Sequence, residues 1–372
     1  MRTLLLLWDG GGNVPPALSL ASSLVLEGHE VYVACHDSLK SQIQGRGLNY
    51  LSYDSGYVYD PSLREDFEKT QAAAQQGLIF GSDYYHEATR LLAEVQPEVV
   101  LVDGMLSYAV KACLDSPVPT VALWHTLYTF IAGGPHAAFF DPVLAKVNVT
   151  GTPTGYATYR DLLEAGNAVL VFTYNGFDDL GNSTADNVLF VGPLRESHEV
   201  SSRPSEAPFV VVALSSVFTN QGAVLSELAT ALGRLEVDAL ITTGRGVAPD
   251  EVVAFPNVKV RQFVPHDSVL PHTDLLITHA GCGTVMAGLK YGAPMLCLPN
   301  NGDQPLIASR AKELGLGLTM DQHSPADSFA PIVRSMLVDS ELKKTARDVA
   351  DTVSMHPGIK EALAMVTSVV ST

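Results

Sequence analysis

The chain has 372 residues, of which 47% are hydrophobic and 17% are charged, and its net charge is −17 at pH 7. Its length allows two domains with separate cores, and its negative charge disfavours nucleic acid and anionic membrane surfaces as partners. No sufficiently long apolar stretch predicts a membrane-spanning helix, so we expect no stable membrane insertion. The N-terminal apolar run is short and lacks a cleavage site, which favours a cytoplasmic protein.

Short apolar strands alternate with helices along the first half of the chain. Strands are predicted at residues 4–8, 31–34, 48–51, 99–103, 120–124, 168–173 and 188–191, and helices at 15–27, 38–44, 61–95 and 108–114. This alternation is typical of a parallel sheet covered by helices.

The stretch from 125 to 158 is irregular and rich in aromatic residues. His125 follows a predicted strand, and Tyr128 and Phe130 come soon after it. Loops at the carboxyl edge of a parallel sheet commonly form ligand pockets, so we expect these three side chains to line a pocket for a small molecule. A packed surface flap explains the same pattern equally well.

A polar stretch separates the first half from a second one. Residues 197–208 are rich in Ser, Glu and Pro and are the best linker candidate in the chain. The alternation then restarts, with predicted strands at 209–214, 239–242, 258–260, 275–278 and 294–299 and helical segments around 325–337, 340–354 and 358–370. We therefore predict an α/β fold with two domains, at residues 1–198 and 207–356.

A turn of small residues joins a predicted strand to a predicted helix at 279–284, where the sequence is HAGCGT. Gly281 and Gly283 lack a Cβ, so a ligand can approach the backbone closely. The N–H groups and dipole of the helix start favour an anion, above all a diphosphate. An ordinary structural turn with a core histidine is the alternative.

This stretch resembles the donor-binding signature of the family 1 glycosyltransferases: His-x-Gly, Gly-Thr, Gly-x-Pro, an apolar strand to Pro, and Asp-Gln. The resemblance implies the GT-B architecture, in which two Rossmann-like domains face each other across a cleft. The N-terminal domain would bind the acceptor and the C-terminal domain the nucleotide-sugar donor. The last helix, 358–372, would pack back on the first domain.

The same resemblance assigns residues of the second domain to the donor. The diphosphate and its turn would be held by His279, Gly281, Gly283 and Thr284, and the sugar by Asp303 and Gln304. Phe263 would stack on the base, the backbone of Val264 would pair with it, and Ser215 and Ser216 would lie near the phosphates. Ala287 stands where the family usually has a Glu that holds the ribose. Phe263 could instead be a core residue.

The N-terminal turn departs from the family in the residue that carries catalysis. Alignment of 16–18 with the family's Pro-x-Leu puts Asn13 at the position of the catalytic His, and an amide is not a general base at neutral pH. The Asp that orients this His is present as Asp103. Three explanations remain open: Asp9 is the base, Asp103 acts directly or through water while Asn13 orients the acceptor, or the acceptor ionises easily. His125 is a further candidate, with a structural role as its alternative.

The resemblance implies an inverting, metal-independent transfer of a sugar from UDP or TDP to an apolar hydroxylated or phenolic small molecule. Beyond the nucleoside diphosphate sugar as co-substrate we expect no cofactor, and the four cysteines lack metal-ligand spacing. Two alternatives are a non-catalytic protein that binds a nucleotide sugar or aglycone, motivated by Asn13 and Ala287, and a sugar-nucleotide epimerase.

Overall fold

The computed structural model describes residues 1–54, 77, 79, 81–132, 137–178, 184–194, 198–214, 221–355 and 358–370. These residues form two compact units. The N-terminal unit contains the described residues up to Leu194 together with 358–370, and the C-terminal unit contains 198–214 and 221–355. Each unit is built on one parallel sheet, so the predicted α/β fold with two domains is confirmed.

The N-terminal unit contains a seven-stranded parallel sheet. Its strands are Arg2–Leu6 (β1), Glu30–Cys35 (β2), Asn49–Ser52 (β3), Val99–Asp103 (β4), Thr120–Trp124 (β5), Ala168–Val171 (β6) and Val188–Phe190 (β7). They lie in the order β3-β2-β1-β4-β5-β6-β7. Their connections are the helices Val14–Leu26 (α1), Lys40–Gln44 (α2), Asp83–Val95 (α3), Ser107–Leu114 (α4), Thr129–Ala132 (α5), Asp141–Val147 (α6) and Tyr159–Glu164 (α7). Of the helix predicted at 61–95, residues 61–76 lie outside the described ranges.

The C-terminal unit contains a six-stranded parallel sheet. Its strands are Phe209–Ala213 (β8), Asp238–Thr242 (β9), Val258–Arg261 (β10), Leu275–Thr278 (β11), Met295–Cys297 (β12) and Gly317–Thr319 (β13), in the order β10-β9-β8-β11-β12-β13. Its helices are Gly222–Gly233 (α8), His266–Val269 (α9), Cys282–Tyr291 (α10), Gln304–Glu313 (α11), Ala326–Val338 (α12) and Ser340–Ser354 (α13). The helix Ile359–Ser368 (α14) follows in sequence. The order of both sheets is Rossmann-like.

Alternating side chains give the first sheet an apolar core on each face. Leu4 and Leu6 of β1 lie in one core cluster, whereas Leu5 and Leu7 lie in the other. Strands β4 and β5 are buried along their whole length. Burial on both faces explains why these strands read as continuous apolar runs rather than as alternating ones.

Helix α14 returns to the N-terminal unit. It packs against α1 and places Ala362, Leu363 and Val366 in the same core cluster as Leu5 and Leu7. In the part of the chain that the structure describes, no helix has the length and apolarity needed to cross a membrane.

Two stretches are more ordered than the sequence predicts. The aromatic stretch 125–158 contains α5, α6 and the short 3-10 helix Ala138–Phe140. The polar stretch after 197 is bound to the C-terminal unit by two contacts. The backbone N–H of Ser201 donates to the carbonyl of Ser268 at 2.9 Å. Arg203 forms an ion pair of 2.6 Å with Asp274. This stretch is therefore part of the second unit rather than a free linker.

Candidate active site

Polar side chains of the first unit gather at the carboxyl edge of its sheet. Asp9 and Asn13 follow β1, Asp103 ends β4, and His125 follows β5. Strands β1 and β4 are neighbours, and the chain leaves them toward opposite sides of the sheet. Ligands of open α/β sheets bind at such a switch point.

The amide of Asn13 is held by three hydrogen bonds. Its Nδ2 donates to Oδ2 of Asp103 at 2.7 Å and to the carbonyl of Trp8 at 2.9 Å, and its Oδ1 accepts from the N–H of Gly10 at 3.1 Å. The tight turn that allows this uses Gly11 at φ 77°, a conformation that favours glycine. Asn13 therefore fixes the loop and one oxygen of Asp103.

Asp103 is fully buried, and both of its carboxylate oxygens have partners. Oδ1 accepts from the N–H of Met105 at 2.9 Å, and Oδ2 accepts from Asn13. The same Oδ2 lies 3.2 Å from Nε2 of His125. The structure thus brings three of the predicted residues, Asn13, Asp103 and His125, into one cluster.

The imidazole of His125 stacks on the ring of Phe172, which follows β6. The ring centroids are 4.7 Å apart and the planes differ by 26°. The side chain is 9% exposed, whereas that of Asp103 is 0% exposed. Among the residues that the structure describes, neither ring nitrogen has a well-aligned hydrogen-bond partner, so the 3.2 Å contact with Asp103 is close but out of line.

Asp9 and the two aromatic residues of the predicted pocket have different environments. Asp9 is only 1% exposed, so its carboxylate offers an acceptor almost no surface. Tyr128 is completely buried in the core, with its hydroxyl donating to Glu164 at 2.9 Å. The prediction that Tyr128 lines the acceptor pocket is therefore not supported. Phe130 is half-buried and contacts Phe140 edge to face.

Asp178 anchors the segment that contains Tyr128, a role that no sequence motif predicts. Its carboxylate accepts from the backbone N–H groups of Tyr128 and Thr129. Burial raises the pKa of Asp178, and these hydrogen bonds oppose the increase. No local motif links residues fifty positions apart, which explains why this contact escaped prediction.

His279 and Gly281 form the turn at the carboxyl end of β11. A Cβ on Gly281 would lie 2.4 Å from Nε2 of His279, so the glycine is needed for the imidazole to lie against the backbone. Burial lowers the pKa of His279 to about 4, so the ring is neutral at physiological pH. Ala280 between them has φ 63°, a strained conformation for a non-glycine residue.

The turn leads directly into α10, whose N-cap is Gly281. Gly283 and Thr284 belong to its first turn, where the N–H groups and the dipole of a helix attract an anion. Thr284 itself donates from its N–H to the carbonyl of Gly281 at 3.0 Å. Ala287 is completely buried, so a ribose contact at this position is excluded and has to come from another residue.

Asp303 and Gln304 begin α11 after β12. Gln304 uses its Oε1 to accept from the N–H groups of Asn300 and Asn301, at 2.9 and 3.3 Å. Its carbonyl therefore fixes the loop that precedes the helix. Asp303 is the N-cap residue of α11 and is partly exposed.

Phe263 lies beyond the end of β10 and is 76% exposed. The alternative that Phe263 is a core residue is therefore wrong, and its ring is accessible for stacking. Val264, the next residue, is partly exposed. Ser215 and Ser216 lie outside the described residues.

Comparisons with known proteins agree with this arrangement. Residues 226–368 match the family described as Erythromycin biosynthesis protein CIII-like, C-terminal domain. Demethyllactenocin mycarosyltransferase of Streptomyces fradiae is 26% identical over 90% of this chain and 78% of its own. The solved glycotransferase of kitacinnamycin superimposes with a TM-score of 0.78 at 22% identity, covering 99% of this chain and 98% of its own.

A further solved structure contains a nucleotide. Spinosyn rhamnosyltransferase complexed with thymidine diphosphate has a TM-score of 0.69 at 20% identity, with 99% of this chain and 100% of its own covered. The structural likenesses establish the fold, and the mycarosyltransferase aligns with 90% of this chain. The chain thus has the GT-B fold and is similar in sequence to bacterial natural-product glycosyltransferases.

Proposed function

We propose that this enzyme transfers a sugar from UDP or TDP to an apolar hydroxylated or phenolic small molecule, with inversion at the anomeric carbon and without a metal ion. The observation that carries the proposal is the turn at 279–281, where the neutral imidazole of His279 lies against Gly281 at the start of α10. Such a turn offers hydrogen-bond donors and a helix dipole to a diphosphate that gains negative charge as it leaves.

The dipole and the N–H groups at the start of α10 would stabilise the leaving diphosphate, so a metal ion is not required for this purpose. The imidazole of His279 is neutral at physiological pH, because protonating it would require a pH near its lowered pKa of about 4. Phe263 provides an exposed ring for the base, and base stacking on an aromatic side chain contributes about 1–3 kcal/mol. Asp303 would hydrogen-bond sugar hydroxyls.

Two solved structures of a similar protein support the choice of ligands. Spinosyn rhamnosyltransferase has been solved with thymidine diphosphate and with spinosyn aglycone. These ligands belong to that protein. For the present chain they support a nucleotide donor and a small-molecule acceptor.

One observation favours a second candidate, a protein that binds a nucleotide sugar without transferring it. The amide of Asn13 replaces the expected base, and its three hydrogen bonds within the protein leave it a structural group. Nucleotide binding with no product from any acceptor is the outcome that distinguishes this candidate from the proposed transferase.

The test is a transfer assay with UDP- and TDP-sugars over phenolic and alcoholic acceptors, read by mass spectrometry. We expect product from at least one donor–acceptor pair, and equal rates in EDTA and in Mg²⁺. The coupling constant of the anomeric proton in the product then reports inversion or retention. Product that forms only with added metal, or with retained configuration, contradicts the corresponding part of the proposal.

Gly281→Ala tests the donor site without removing a functional group. The new methyl forces the imidazole of His279 away from the backbone, so we expect transfer to fall about 10²–10³-fold, as for loss of one donor to a developing charge. Gly222→Ala is the control, because its methyl approaches no atom closer than 4.0 Å. Equal activity of the two variants would show that His279 does not act on the donor.

A further inference from the structure

The base of the reaction has to come from a residue other than Asn13. Its Nδ2 and Oδ1 are committed to Asp103, Trp8 and Gly10, and an amide does not accept a proton at neutral pH. The carboxylate of Asp103 is fully buried and accepts from two N–H groups. Both features make it a poor first contact for an acceptor hydroxyl.

The side chain beside this carboxylate has the chemistry of a general base. Nε2 of His125 lies 3.2 Å from Oδ2 of Asp103, and the face of the ring rests on Phe172. Both nitrogens lack an aligned hydrogen-bond partner within the described ranges. A nine-tenths buried imidazole normally has such a partner, so this ring is placed for a ligand rather than for the core.

We propose that His125 is the general base, and that Asp103 supports it while Asn13 holds Asp103 in place. This inference rests on the proposed function, since it assigns the proton acceptor of that reaction. Asp103 ends β4 and His125 directly follows β5, and these two strands are adjacent. The dyad is thus assembled across the sheet instead of between β4 and the loop after β1.

The proton and the electrons balance in a single displacement. Nε2 faces Asp103, so Nδ1 is the nitrogen that takes the proton of the acceptor hydroxyl. The acceptor oxygen forms a bond to the anomeric carbon while the bond between that carbon and the diphosphate oxygen breaks. The electron pair of the broken bond leaves with the diphosphate. The carboxylate beside Nε2 then stabilises the imidazolium, as in a catalytic triad.

Access to the imidazole requires a local movement. Its nitrogens are shielded from solvent, so the ring has to move before an acceptor hydroxyl can reach Nδ1. Hydrogen bonds of catalytic groups commonly tighten only when the substrate is bound. The partly buried ring, at 9% exposure, is the more accessible member of the pair.

The test compares acceptors that differ in acidity. A base speeds the attack of an alcohol far more than that of a nitrophenol, whose hydroxyl ionises readily. For His125→Asn we expect kcat/KM to fall about 10²–10³-fold with an alcohol acceptor and less than about 10-fold with a nitrophenol. The dissociation constants of UDP and TDP should be unchanged, because the variant leaves the second unit intact.

His36→Asn is the matched control. His36 is another buried histidine at the same edge of the sheet, where its Nε2 pairs with the hydroxyl of Tyr84 at 2.9 Å. A general effect of losing a buried imidazole would appear in this variant too. We expect the ratio of rates for the two acceptors to remain at the wild-type value.

Each other outcome counts against a specific claim. A loss by His125→Asn that is equal for both acceptors indicates a structural role and overturns the inference, as does a variant with wild-type rates. Wild-type protein that binds UDP or TDP but forms no product overturns the proposed function, and this inference with it. The nucleotide affinities and the wild-type rates therefore separate the two failures.

Discussion

Asn13→Asp is an almost isosteric change that places a second carboxylate beside Asp103. In the folded chain the two groups meet at the 2.7 Å that now separates Nδ2 from Oδ2. Coulomb's law gives a repulsion of about 6 kcal/mol at that distance for an effective dielectric constant of about 20. Protonating one carboxyl group relieves it, and this costs about 5 kcal/mol at a pH of about 7.5. We therefore expect a destabilisation of roughly 5 kcal/mol at that pH.

The destabilisation should depend on pH in a defined direction. The repulsion raises the folded-state pKa of the carboxyl pair above the unfolded value. The resulting penalty is absent below the ordinary pKa of aspartate, near 4, and grows as the pH rises toward the raised pKa. Between pH values of about 5 and 7.5 the penalty should therefore increase by about 3.4 kcal/mol.

Denaturant titrations followed by tryptophan fluorescence measure this penalty. The chain has two tryptophans, and both Trp8 and Trp124 lie in the N-terminal unit, so the signal reports the unit that carries the change. Asn13→Ala removes the same three hydrogen bonds without adding a charge, and should cost about 2–3 kcal/mol with little pH dependence. If Asn13→Asp shows no larger pH dependence than Asn13→Ala, the placement of the amide against Asp103 is wrong.

Three further predictions concern other parts of the chain. Lys111→Met leaves Asp115 without its buried partner at 2.5 Å and should cost about 3 kcal/mol near neutral pH. Burial raises the pKa of Asp115, but hydrogen bonds from Lys111 and its other partners outweigh this and lower it, so the cost should shrink as the pH falls below the ordinary pKa of about 4. Ala280→Gly should change the unfolding free energy, measured by calorimetry, by less than about 0.5 kcal/mol. The glycine removes the strain of the left-handed conformation, and this gain offsets the lost burial of the methyl group. The control Ala287→Gly, within α10, should cost about 2 kcal/mol. Phe263→Ala should weaken UDP or TDP binding about 10-fold by titration calorimetry, whereas Val338→Ala, also highly exposed, should leave it unchanged.

The strands were predictable because they are local. A strand buried on both faces has to be a continuous apolar run, and β4, β5 and β11 therefore match the predicted bounds. Strand β13 was missed because Gly317–Thr319 has only three residues and two of them are exposed. It pairs with β12 only through the fold of the whole unit.

The candidate site was predictable where a motif lies within a few residues of sequence. The turn at 279–281 is of this kind, since glycine, histidine and helix start are adjacent. Tyr128 shows the limit of such prediction, because an aromatic residue in an irregular stretch suits a pocket and a core equally well. Burial of its ring depends on Asp178 and Glu164, which are distant in sequence. The approach of His125 to Asp103 likewise depends on which strands are neighbours.

Helix α14 has a consequence for how the chain folds during synthesis. The sheet of the N-terminal unit is complete once β7 has been made, yet Ala362, Leu363 and Val366 of its core come from a helix that follows the entire second unit. Until that helix emerges, the apolar surface of α1 and its neighbours has no cover from it. A nascent chain of this kind exposes an aggregation-prone hydrophobic surface for the time needed to translate the second unit. Translation rate and chaperone binding at this stage should therefore influence the yield of folded enzyme.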